Sequence, residues 1–214
     1  MPESNTVLVI DDDPEVRDAL GLLLRSVGLD VRLFGSVPEF LKSERPNGPT
    51  CLVLDVRLPG QSGLDFQDEL VGANGQIPII FVTAHGDITM SVKAMKSGAI
   101  EFLTKPYRDQ TLIDAIHLGL ARDRARREND RARRENEEEL STFRARFASL
   151  SAREREIMAQ VVQGRRGKQI ARDIGISEDT VHVHRRNLMR KMKVRSLPEL
   201  GRIAEKLKLL SEET

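Results

Sequence analysis

The chain has 214 residues, 39% of them hydrophobic, which leaves room for more than one core. Its net charge of +1 hides a division: residues 1–120 carry 10 Lys+Arg against 17 Asp+Glu, and residues 151–214 carry 15 against 9. The polar start, the lack of any apolar run of spanning length and the single cysteine argue against export, a membrane partner, a disulfide or a thiolate metal cluster, so a cytoplasmic protein is expected.

The first apolar run, Val7-Leu8-Val9-Ile10, reads as a buried strand that ends on Asp11-Asp12-Asp13. Asp13-Pro14-Glu15 then gives an N-cap, a proline at the first helical position and an acid in the first turn. Leu20, Leu23, Leu24 and Val27 form that helix's apolar face, and Gly28 stops it. A strand is expected over 29–34, a helix over 37–42 and a loop over 45–49. Next comes the run Leu52-Val53-Leu54 before Asp55, with Cys51 at its start as a small buried hydrophobe. A tight loop over 58–63 leads to a helix over 64–71. The run Ile79-Ile80-Phe81-Val82 ends on Thr83, and a helix over 88–97 ends at Gly98. Ile100-Glu101-Phe102-Leu103 ends on Thr104-Lys105-Pro106, and a helix starts near Gln110. Short apolar runs alternating with helical stretches predict an α/β doubly wound, five-stranded parallel sheet.

The helix from Gln110 has no stop signal up to about Phe147, since the segment from Leu112 holds no proline and one glycine, Gly119. Arg-Ala-Arg-Arg-Glu-Asn occurs at 124–129 and again at 131–136, a seven-residue repeat. Arg124 with Glu128, Arg126 with Asp130, and Arg131 with Glu135 are i,i+4 partners worth about 0.3 kcal/mol each. The best seam, Ala125, Asn129, Ala132 and Asn136, buries little, so a solvated linker helix with weak self-association is expected. Residues 150–210 hold four helical patterns: Ile157 with Val161, Ile170 with Ile174, Val181 with Leu188 and Met192, and Leu200 with Ile203 and Leu207. Between the second and third, Gly175-Ile176-Ser177 is a short turn with Ser177 as N-cap. Two helices joined in this way, the second rich in Arg, read as an all-α helix-turn-helix domain. The expected division is 1–121, a linker over 122–147 and a DNA-binding domain over 148–214.

Ligands of such open sheets bind beyond the carboxyl ends of the strands, which brings these run-ending residues to one rim. Clustered carboxylates need a compensating cation, and hard oxygen donors suit Mg²⁺. Asp55, alone at the end of the central run, is the candidate nucleophile for aspartyl-phosphate chemistry, with Asp11 and Asp12 holding the metal. Thr83 and Lys105 would receive the phosphoryl oxygens, one through a hydrogen bond and the other through its charge. Asp13 serves as a helix cap.

The Asp11-Asp12 pair, Asp55 in Leu-Asp-Val-Arg-Leu-Pro-Gly, Thr83-Ala84 and Lys105-Pro106 together resemble the receiver domain of two-component response regulators, a flavodoxin-like fold, over residues 6–120. The resemblance implies that Asp55 accepts a phosphoryl group from a sensor histidine kinase. It further implies that Asp12, Asp55 and the backbone carbonyl of Arg57 bind Mg²⁺, that Asp11 assists through water, that Thr83 and Phe102 form a switch pair, and that the Lys105–Pro106 bond is cis. The last part, from Leu150-Ser151-Ala152-Arg153-Glu154-Arg155-Glu156 through Lys168-Gln169-Ile170-Ala171 to the 176–184 stretch, resembles the LuxR/FixJ (NarL) type of DNA-binding domain. Gly167 stands where that family often has Asn, a possible helix cap, and His182 stands where Lys is common.

Helical facing sorts the third of these helices. Val181, His184 and Leu188 share the inner side, which makes His184 structural; His182, Val183 and Arg186 face outward. Val183 is placed to meet a thymine methyl group and Arg186 to read guanine or a phosphate. Lys168, Thr180, Arg185 and Lys191 are candidate phosphate contacts. With no Trp and one Tyr, a base-stacking platform for single strands is disfavoured. The expected function is a phosphorylation-controlled response regulator that dimerises, binds double-stranded promoter DNA and acts with RNA polymerase, rather than an enzyme. A haloacid-dehalogenase-type hydrolase would need a second Asp two positions after the nucleophile, where Arg57 stands. A signalling adaptor whose last helices bind protein would not need the basic third helix.

Overall fold

The computed structural model describes residues 4–72 and 77–207. The last expected helical stretch, to Leu210, and the end of the expected DNA-binding domain at 214 fall partly outside them. The chain divides into two units, Met1–Asp130 and Arg131–Thr214.

In the first unit, strands and helices alternate. They are β1 (Thr6–Ile10), α1 (Pro14–Ser26), β2 (Asp30–Phe34), α2 (Val37–Lys42), β3 (Thr50–Leu54), β4 (Arg57–Leu58), β5 (Gln61–Ser62), α3 (Gly63–Gly72), β6 (Ile79–Thr83), α4 (Ile88–Lys96), β7 (Glu101–Thr104) and the start of α5 (Asp109–Ala148). Five strands form one sheet in the order β2-β1-β3-β6-β7, every pairing parallel. Every residue of β1, β3 and β6 is buried, as central parallel strands covered on both faces must be. The two-residue side-chain period splits each strand between two cores. Val7, Val9, Cys51, Val53, Ile80 and Val82 pack with Leu20 and Leu24 of α1 and Leu112, Ile116 and Leu120 of α5. Leu8, Ile10, Leu52, Leu54 and Phe81 pack with Phe40 of α2, Phe66 of α3 and Ala94 of α4.

Most expected elements appear, with local differences. The apolar face of α1 is turned from its expected position: Gly21 is buried beside Leu20 and Leu24, and Val27 is exposed. Gly21 admits a close approach, since a Cβ there would lie 3.0 Å from Leu33 Cδ1 of the edge strand, and Val27 is the C-cap, past the end of α1. The loop expected over 58–63 contains the antiparallel β4–β5 ladder, turning at Pro59-Gly60 with Gly60 at φ 85°. Arg124 donates to Asn5 Oδ1 at 2.9 Å instead of pairing with Glu128, whereas Arg126–Asp130 and Arg131–Glu135 form as expected at 3.6 and 2.9 Å.

The second unit contains the end of α5 and α6 (Ala152–Val162), α7 (Gly167–Ile174), α8 (Glu178–Met192) and α9 (Leu197–Lys206). Leu150, Ile157, Val161, Ile170, Val181, Leu188, Met192, Leu200 and Ile203 form its core, with Phe143 and Phe147 of α5 packed against it. Ser151 and Glu154 close a capping box on α6. Gly175, at φ 68°, ends α7 in the left-handed region, and Ser177 Oγ accepts from the Thr180 amide to start α8. Gly167 is not the cap of α7. Arg166 holds that position, its amide donating to Gln169 Oε1 at 3.0 Å, so the missing Asn costs no cap bond.

Candidate functional site

Parallel register builds the acidic rim. Ile10 pairs with Leu54, so Asp11 and Asp55 leave adjacent strands at one level, and the Asp55 amide donates to the Ile10 carbonyl at 2.9 Å. Thr83 pairs with Thr104 on the other side of β3, and the Lys105 amide donates to the Thr83 carbonyl at 2.8 Å. The Lys105–Pro106 peptide is cis. The side chains converge: Lys105 Nζ lies 3.1 Å from Asp11 Oδ2 and 3.8 Å from Asp55 Oδ2. Asp11, Asp12 and Asp55 each present an oxygen within 4.8 Å of the others. Asp13 stands apart as the α1 cap, its Oδ1 accepting from the amides of Glu15 and Val16.

Burial pushes the Asp55 carboxyl up. The Arg57 amide, 3.0 Å from Asp55 Oδ1, opposes this, Asp11 adds to it, Lys105 opposes it and Asp12 adds to it. Three carboxylates share one ammonium, Lys105, with the Arg17 guanidinium bound only to the Asp11 and Asp12 carbonyls, so negative side-chain charge is in excess. A donor set of hard oxygens with that excess suits a hard divalent cation. Thr83 is buried, and its Oγ1 accepts from the His85 amide at 3.3 Å, which leaves the hydroxyl proton to donate. Phe102 is half-buried, its ring centroid 6.0 Å from that of Phe81.

In the second unit, α8 turns Val181, Leu188 and Met192 inward and leaves His182, Val183 and Arg186 exposed, Val183 at 53%. His184 and Arg185 are half-buried, and Lys168 is exposed on α7. Thr180 is exposed, with its Oγ1 2.7 Å from Ser177 Oγ within the α8 cap. Lys191, expected as a phosphate contact, also has a partner within the chain: its Nζ lies 2.6 Å from Glu154 Oε2, whose side chain is 5% exposed. Burial pushes the Glu154 carboxyl up, but bonds from Lys191 and from the Ser151 amide and hydroxyl outweigh this and hold it low.

Three residues escaped the sequence reading. Glu154 enters that reading only as part of a motif, with no partner assigned to it. Gly86 touches the expected switch, since a Cβ there would lie 2.7 Å from Phe102 Cε1 and 2.8 Å from Thr104 Cγ2. Asp123 is buried on α5, on the same face as Leu112, Ile116 and Leu120, where the helical period could have exposed it as a charge in an apolar row.

An acidic strand rim with a facing lysine, carried with a helix-turn-helix unit, defines a signal-receiving module coupled to DNA recognition. Comparison with known proteins gives the family. The model of the response regulator receiver domain matches residues 7–117, and that of the bacterial regulatory proteins, luxR family, matches residues 148–211. The chain belongs to the response regulators that join a receiver domain to a LuxR-family DNA-binding domain, and it is a transcription regulator. It is 48% identical over 208 residues to nodulation protein W of Bradyrhizobium diazoefficiens, a match covering 97% of this chain and 88% of that one. It is 44% identical over 206 residues to the transcriptional regulatory protein FixJ of Azorhizobium caulinodans, covering 95% and 93%. Among solved structures it is similar to the response regulator StyR, with a TM-score of 0.70 and 46% identity, covering 95% and 99%.

Proposed function

We propose that Asp55 accepts a phosphoryl group from a sensor histidine kinase, and that the new charge switches the protein to a homodimer that binds promoter DNA and acts with RNA polymerase in the cytoplasm. The placement of Asp55 beside Asp11, with Lys105 reaching both, supports this most directly. An Asp55 carboxylate oxygen forms the bond to phosphorus while the bond from phosphorus to the kinase histidine breaks. The Lys105 ammonium meets the charge of the phosphoryl oxygens, and the Thr83 hydroxyl donates to one of them. Asp11, Asp12, Asp55 and the carbonyl of Arg57 would hold Mg²⁺, which neutralises charge on the transferring group. As Thr83 turns toward the phosphoryl group it vacates space beside Phe102, and inward movement of that ring remodels the face of α4 and β7, a two-state packing change driven by local charge.

Residues 1–121 act as the receiver, 122–147 as linker and 148–214 as the DNA-binding domain. Arg186, Val183 and His182 read base edges, while Lys168, Thr180 and Arg185 meet phosphates. Lys191, held by Glu154, joins α8 to the start of α6. The chain's own chemistry is confined to gain and loss of one phosphoryl group.

Incubation with acetyl phosphate and MgCl₂, followed by intact mass, tests the reading. Wild type should gain one phosphoryl group, Asp55→Asn none, and Asp12→Asn should lose the dependence on MgCl₂. An undiminished adduct on Asp55→Asn would sink the assignment.

A further inference from the structure

Asp123 is a buried carboxylate that phosphoryl capture does not use. Its side chain is 1% exposed, yet both oxygens are fully engaged. Oδ2 accepts from the Thr50 amide at 3.0 Å and from Arg127 Nε at 2.6 Å; Oδ1 accepts from Arg126 Nε at 3.2 Å and Nη2 at 2.5 Å. Arg127 Nη1 donates onward to the Asn47 carbonyl at 3.2 Å, and Arg124 Nη2 to Asn5 Oδ1 at 2.9 Å. All these residues belong to the unit Met1–Asp130. Thr50 opens β3, the strand that leads to Asp55.

This polar cluster lies beyond the last apolar anchor of α5 in that unit, Leu120. From Glu128 to Glu139 every residue of α5 is exposed, and surface pairs such as Arg131–Glu135 and Arg133–Glu137 add little. Such a stretch keeps its helical form mainly through what fixes its ends, because starting a helix is costly and short isolated ones are marginal. Buried carboxylates are tolerated only with donors to match, so losing one partner loosens the cluster.

We propose that Asp123 is a positioning residue. With Arg126, Arg127 and the Thr50 amide it forms a clasp that fixes where α5 leaves the receiver, and phosphorylation-dependent DNA binding requires the clasp closed. The proposal rests on the phosphorylation-controlled DNA binding proposed above. A change in the receiver reaches the rest of the chain through α5, and a helix that frays at its point of departure transmits none of it.

The test uses the full chain, acetyl phosphate with MgCl₂, and a labelled duplex selected by the wild-type protein from random-sequence DNA. Asp123→Asn and Arg127→Gln should take up the phosphoryl group as wild type does. Amides of residues 121–130 should exchange at least tenfold faster, and the gain in DNA affinity on phosphorylation should fall at least threefold. Arg127→Gln leaves Thr50 and Arg126 on Asp123, so it carries the comparison by itself should Asp123→Asn not fold. A wild type with no such gain overturns the underlying functional reading. A wild type that gains, with variants that gain equally, overturns the clasp, even where their exchange is faster.

Discussion

The Lys105 ammonium faces two carboxylates at once, Asp11 at 3.1 Å and Asp55 at 3.8 Å, and the Asp11 side chain is 3% exposed. Removing the ammonium leaves a nearly buried carboxylate without its charged donor. Lys105→Met should therefore destabilise the receiver by about 1–3 kcal/mol in chelator, with MgCl₂ restoring part of the loss by binding the folded state. Urea unfolding with and without MgCl₂ measures both effects, and equal midpoints for variant and wild type in chelator would contradict the pairing. Asp55 should behave in the opposite sense. Its carboxyl is raised by burial from the ordinary 3.8, so its contribution to stability is complete below that value and is lost as pH rises through the higher folded value. At pH 7 in chelator the ionised group is a net cost that asparagine lacks. Asp55→Asn should unfold at a higher urea midpoint than wild type at pH 7, with the difference closing in acid. A lower midpoint for Asp55→Asn at pH 7 would show that Asp55 is not held against its preference.

Individual helices carry their own signals, and α8 shows where these reach and where they stop. Its cap Ser177, its inward row Val181, Leu188 and Met192, and its outward Val183 and Arg186 follow from a 3.6-residue period and capping chemistry. Arg186→Ala should cost about 1–3 kcal/mol on the selected duplex and much less on a scrambled one. Lys168→Ala on α7 should weaken both duplexes alike and lower the salt slope by about one unit. Titrations on both duplexes at several salt concentrations separate the two roles; equal losses on both for Arg186→Ala would move that residue to the backbone. The Lys191–Glu154 pair was not legible because the two residues lie 37 apart in the chain, and only tertiary packing brings them to 2.6 Å. The acidic rim was legible for the converse reason, since each of its residues ends a strand or follows one within two positions, and parallel register aligns strand ends. The turned face of α1 was not legible, because the close approach of Gly21 to Leu33 belongs to a neighbouring strand and the helix stops one residue before Val27. Gly86 gave no sign either: a glycine in a loop does not announce the aromatic ring it must clear.

Across the whole chain, the proposed function requires a local charge at Asp55 to alter an interaction of residues 148–214 with DNA. In the proposed switch Thr83 is the first link, buried at the end of β6 with its Oγ1 accepting from the His85 amide and its hydroxyl proton left to donate. Phe102 is the second, half-buried on β7 with the side-chain-free Gly86 against its ring. Beside them α4 exposes Ile88 at 83% and also Val92 and Met95, with Ala94 as its buried residue, so its seat on the sheet is shallow and open to remodelling. Phosphorylated wild type is therefore expected to dimerise, and two DNA-binding units on one duplex then call for two half-sites spaced by about one helical turn of roughly 10 bp, or a multiple of it. Thr83→Ala keeps Asp55, Asp11, Asp12 and Lys105, so it should still take up a phosphoryl group. Without the hydroxyl, nothing draws the loop inward to make room for Phe102, and the charge at Asp55 has no mechanical consequence. Light scattering should find the phosphorylated Thr83→Ala protein monomeric at concentrations where phosphorylated wild type is dimeric. Its affinity for a two-half-site duplex should stay at the unphosphorylated level. Changing the half-site spacing by half a helical turn should weaken phosphorylated wild type and leave Thr83→Ala unaffected, because a monomer does not sense the second site. Dimerisation of Thr83→Ala at the wild-type level would mean that the signal leaves the acidic site by another route.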